Sequence, residues 1–137
     1  MRPLHQATKI SWALLPEAFR RIWLELQVDS GRTKRGASIG YILVAPLTEN
    51  GRIDIDLWRQ FHEFCGVIRL RPKQPDDVGH LVRQPDGMWA FRYDVTGEQR
   101  GERAYCILSE RFVAGGHVSI SDDAGLHLFH VAAIEPI

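Results

Sequence analysis

The chain has 137 residues, 45% of them apolar and 25% charged, with 17 Lys and Arg balancing 17 Asp and Glu. That length makes one domain, residues 1–137, able to close a core without a disulfide or metal staple, and the ordinary composition excludes a disordered chain. Zero net charge argues against a nucleic-acid binder that works through a general positive field.

No apolar run reaches the length of a membrane span, and Lys9 interrupts the only stretch that could begin a signal peptide, so a cytoplasmic protein with no membrane partner is expected. Two cysteines, Cys65 and Cys106, lie outside any Cys-x-x-Cys and read as small buried hydrophobes. The charge is unevenly spread. Residues 1–73 carry 12 Lys and Arg against 7 Asp and Glu, and residues 74–137 carry 5 against 10. This asymmetry fits two solvated faces, or a homodimer in which unlike halves meet.

Residues 1–15 show no clear period and are expected to fray. After Pro16, Phe19, Ile22, Trp23 and Leu26 fit helical spacing. Ile22, Leu24, Leu26 and Val28 also alternate with Trp23, Glu25 and Gln27, which favours a strand over residues 20–28. A polar loop with Arg32, Lys34 and Arg35 follows. The nearly continuous apolar run over residues 39–47 predicts a strand buried on both faces, closed by the turn Asn50-Gly51.

Asp54 caps a predicted helix over residues 55–65, with Leu57, Trp58, Phe61, Phe64 and Cys65 on one stripe and Gly66 as its stop. Six strands then follow, over residues 67–71, 78–83, 88–94, 104–108, 117–121 and 126–134, separated by turn signals such as Pro85-Asp86-Gly87, Thr96-Gly97, Gly115-Gly116 and Asp123-Ala124-Gly125. The expected fold is mainly β: an antiparallel meander forming a small, partly closed barrel, with one amphipathic helix at an end or on a face.

Register supplies a candidate site. A three-residue Pro85-Asp86-Gly87 loop pairs Gln84 with Met88, Leu81 with Phe91 and His80 with Arg92. If Ile68 and Leu70 join Leu81 in the core, Arg69 lies opposite His80. Arg69, His80 and Arg92 would then form an outward row, with Arg71 one step along. Like charges side by side need an offset, from Asp76 and Asp77, from water, or from an anionic small molecule or acidic protein segment suited to the guanidinium forks. The plainer alternative is a solvated face whose arginines splay apart.

Other chemistry is weaker. His117 and His130 share a face, with His127 on the other, and two histidines are half of a tetrahedral zinc site at most, so no metal is expected. No serine lies in Gly-x-Ser-x-Gly, His62 and Cys65 sit three apart with the thiol on the apolar stripe, and Asp76-Asp77 and Asp122-Asp123 are turn residues. No phosphate loop or cofactor motif is present. Trp89, Phe91 and Tyr93 alternate as half of a core, or as stacking groups if that face is open.

The segment from Phe112 through Gly115-Gly116-His117-Val118 to Leu128-Phe129-His130-Val131 resembles the closing hairpin of small SH3-like barrels. More broadly, Arg21-Ile22-Trp23-Leu24, Gly79-His80-Leu81-Val82 and Trp89-Ala90-Phe91-Arg92-Tyr93 are similar to a group of short bacterial proteins. That resemblance implies no activity, cofactor or catalytic residue. The function expected first is a non-enzymatic binding module using Arg69, Arg71, His80 and Arg92. The alternatives are a small enzyme or ligand carrier using the barrel interior at Trp89 and Tyr93, and a self-assembling structural domain.

Overall fold

A computed structural model describes residues 15–27, 39–93, 106–107, 111–122 and 125–137. Alternation decides the first element. In β1 (Phe19–Leu26) the side chains of Ile22 and Leu24 are buried while Trp23 and Glu25 point the other way, so period two prevails over the helical spacing that the same residues permit. The remaining strands are β2 (Gly40–Pro46), β3 (Gly66–Leu70), β4 (Asp77–Arg83), β5 (Trp89–Tyr93), β6 (Cys106–Ile107), β7 (His117–Asp122) and β8 (Gly125–Pro136).

Each strand pairs antiparallel with the next, and β8 returns to pair with β1, so hydrogen bonding runs around the whole ring. Among the described residues of β6, Cys106 and Ile107 give two pairs to β5 and two to β7. The expected mainly β, partly closed barrel, with one helix among the described residues, is the fold found. Where β8 meets β1 the register shifts between Trp23 and Leu24, which leaves Ala132 outside the pairing and turns Ala133 and Glu135 outward.

The interior is filled by one residue in two from each strand. Tyr41 packs its ring on Phe91 at 5.1 Å and on Phe129 at 5.2 Å, and Ile22, Leu24, Leu43, Val67, Leu81, Val118, Ile120 and Val131 close around them. Each such side chain contributes about 1.5–3 kcal/mol by leaving water.

Helix α1 (Ile55–Phe61) lies across the end of the barrel marked by Phe19 and Trp89. Its cap forms as expected, with Leu57 N donating to Asp54 Oδ1 at 3.1 Å. Trp58 meets Trp89 edge to face at 5.3 Å and donates its indole N–H to the Leu81 carbonyl at 3.0 Å, while Phe61 meets Phe19 at 6.0 Å. The helix is shorter than residues 55–65. A 3₁₀ turn (His62–Phe64) follows, and Gly66 opens β3 instead of stopping the helix. The reason lies in the ladder: the Cys65 carbonyl already accepts from Leu81 N at 2.9 Å, so the chain has joined the sheet by that residue.

Candidate functional site

The β4–β5 hairpin forms as the turn residues dictate. Gly87 takes φ 90°, Gln84 N donates to Met88 O at 2.8 Å, and His80 lies opposite Arg92. The strand before it does not follow the expected register. Ile68 pairs with Val78, Val67 with Gly79 and Arg69 with Asp77. Relative to the pairing of Ile68 with Leu81, this is a slip by an odd number of residues, which exchanges the two faces of β3.

Val67 therefore enters the core, Ile68 faces out, and Arg69 faces in beside its β2 partner Tyr41. The four predicted residues are split. His80 and Arg92 share the outer face; Arg69 and Arg71 belong to the inner end with Asp77. Arg71 holds the Asp77 carboxylate at 3.1 Å and donates to the Pro75 carbonyl at 3.3 Å. The continuous row of Arg69, His80 and Arg92 is not formed. Two features explain it: a long arginine stem can lie along the core while its head reaches the rim, and Asp77 supplies charge there.

The slip creates a different surface. On the outer face, Ala133, Trp23, Ile42, Ile68 and Val78 are successive cross-strand partners, an apolar row crossing five strands. Val78 is 54% exposed, and Ile42, Trp23 and Ile68 are half-buried. Together with Val44 and Phe64 they line a groove of about 620 Å³. Arg21 and His80 border it, and Arg92 stands beside His80 on β5. Glu63 lies at the same border, and Glu135 accepts the Trp23 indole N–H at 2.9 Å, fixing that ring.

β2 is thus not buried on both faces as expected. Tyr41, Leu43 and Ala45 fill the core, whereas Ile42 and Val44 form the groove floor. The signal for this surface was present in the sequence as a strand with no polar face.

The remaining candidates do not gather. His117 and His130 face each other at 5.6 Å between ring centroids, and His117 Nε2 lies 3.3 Å from Gln27 Oε1. Among the described residues no three His, Cys, Asp or Glu converge as metal ligands. Trp89, Phe91 and Tyr93 are buried core residues, not an open stacking face.

Cys65 is buried with its sulfur 3.6 Å from the Phe61 carbonyl, and burial pushes its thiol up to about 12, while His62 is exposed. A high thiol pKa opposes a nucleophilic role. The Arg32, Lys34 and Arg35 cluster, Asp123 and the Thr96-Gly97 turn lie outside the described residues. No described helix is long and apolar enough to cross a membrane. No protein-family model, curated protein or solved structure matches this chain, and nothing in these comparisons bears on the resemblance to an SH3-like hairpin.

Proposed function

We propose that the chain is a non-enzymatic interaction module that receives a protein segment in the outer groove of β1–β4. The single observation that carries this reading is the apolar row of Trp23, Ile42, Ile68 and Val78 on a face that the described residues leave uncovered. A contiguous exposed apolar row rimmed by polar groups suits a contact site. Arg21, His80 and Arg92 along one border favour a segment that offers apolar side chains to the floor and a carboxylate to the rim. The acidic partner expected from the sequence is retained, served by His80 and Arg92 together with Arg21, without Arg69 or Arg71.

Selection of binders from a random peptide library tests this. Recovered peptides are expected to combine apolar and acidic residues, and to lose roughly tenfold or more in affinity against Val78→Glu and several-fold against Arg92→Ala. Peptides that bind Val78→Glu as well as the parent protein would place the contact elsewhere and overturn the reading.

A further inference from the structure

The groove has a counterpart on the same molecule. At the turn end of β8, Leu126 and Leu128 point outward and are 61% and 44% exposed. Their cross-strand partners on β7 are Ser121 and Ser119, so two leucines stand on an otherwise polar ribbon. Burying a leucine takes its apolar surface out of water, so an exposed pair is a local incentive to associate. In sequence, residues 117–134 include Asp122 and Asp123 and no Lys or Arg.

On these grounds we infer that the occupant of the groove is a second copy of this chain, seating Leu126 and Leu128 on the row of Trp23, Ile42, Ile68 and Val78. The inference rests on the groove being a docking surface. Three observations favour this occupant over an unrelated partner. The leucines match the apolar floor. The hairpin sequence is acidic, and the groove border carries Arg21, His80 and Arg92 as well as Glu63 and Glu135. With zero net charge, copies approach one another without long-range repulsion.

The two patches are separate on one molecule. Leu128 receives a hydrogen bond from Gln27 N just beyond the end of β1, whereas Trp23 lies four residues back along that strand. The contact joins unlike surfaces. It closes as a dimer when each copy gives a hairpin and receives one, and otherwise it propagates from copy to copy.

This geometry makes a prediction that self-contact through a single patch does not. Sedimentation velocity of the full chain over a hundredfold range of concentration should show association. The double variant Leu126→Ser, Leu128→Ser and the variant Val78→Glu should each weaken it by roughly tenfold or more. The hairpin variant keeps a groove and the groove variant keeps a hairpin, so an equimolar mixture should form 1:1 pairs at concentrations where each alone is monomeric. Circular dichroism melts confirm folding, with Val78→Ser as the milder groove variant should Val78→Glu fail to fold.

A parent protein that is monomeric throughout, or variants that associate like the parent, would overturn self-docking. Variants that fail to complement in the mixture would do the same. A monomer that still takes selected peptides in the groove defeats only the self-docking. One that takes none defeats the interaction module as well.

Discussion

Inside the barrel, Ile22, Leu43 and Val67 are successive cross-strand partners and are buried. One residue further along each strand, Trp23, Ile42 and Ile68 form the neighbouring row on the outside and remain half open. The two rows are almost equally apolar, yet only one is covered. A sheet that is apolar on both faces normally has a second layer on each. Here the described residues supply one layer by curling on themselves and leave the outer row of β1–β4 open. Apolarity therefore serves folding on one face, and on the other it marks the surface proposed for association.

The sharpest way to break this contrast is at Gly79, which continues the inner row between Val67 and Tyr93. A Cβ there would come within 2.7 Å of Tyr93 Cα and strike the Arg92 carbonyl. Gly79→Val should cost roughly 4 kcal/mol or more and abolish the cooperative unfolding transition in circular dichroism. A near-parental melt would show that the inner row is not tightly packed.

A matched pair then measures the difference between the faces. Phe129→Ala, inside, should lower the unfolding free energy in urea by about 3–5 kcal/mol. Val78→Ser, outside, should change it by less than about 0.5 kcal/mol while impairing the groove contact. Equal costs would mean that the outer row also belongs to the folding core.

The smallest effect concerns Cys65. Burial pushes its thiol up to about 12 from an ordinary value of 9.0. The folded protein thus holds this proton more tightly than the unfolded chain does. The contribution is complete below pH 9 and is lost as pH rises from 9 towards 12. Urea titrations between pH 8 and 11 should show a steeper alkaline loss for the parent protein than for Cys65→Ala. Parallel profiles would mean that the thiol is hydrated in the folded state.

These comparisons also explain what could be read in advance. The β4–β5 hairpin was legible to the residue because Pro85, Asp86 and Gly87 fix a turn of set length, and the turn fixes every pair behind it. The β3–β4 register was not, because β3 offers apolar residues to either face, with Val67 on one and Ile68 and Leu70 on the other. Gly66 and Gly79 carry no side chain to favour one face. Arg69 misled because its charge suggested solvent, while its stem lies beside Tyr41. The groove was hidden for the same reason: it exists only once β3 is turned so that Ile68 meets Val78 on the outside. α1 was legible at its start, where Asp54 caps it, and less so at its end, where the ladder bond from Leu81 to Cys65 overrides helical continuation.

The closure of the ring by β8 bears on how the molecule comes into being. One of the two partners of β1 is β8, about a hundred residues later in the chain. Until β8 arrives, β1 has one edge without a ladder, and the inner side chains of β2 and β3 surround an incomplete core. Pairing along β1 to β5 can proceed hairpin by hairpin, but the final state waits for a contact between distant parts of the sequence. A chain lacking β8 would carry that open edge, where strand pairing with a neighbouring chain competes with closure.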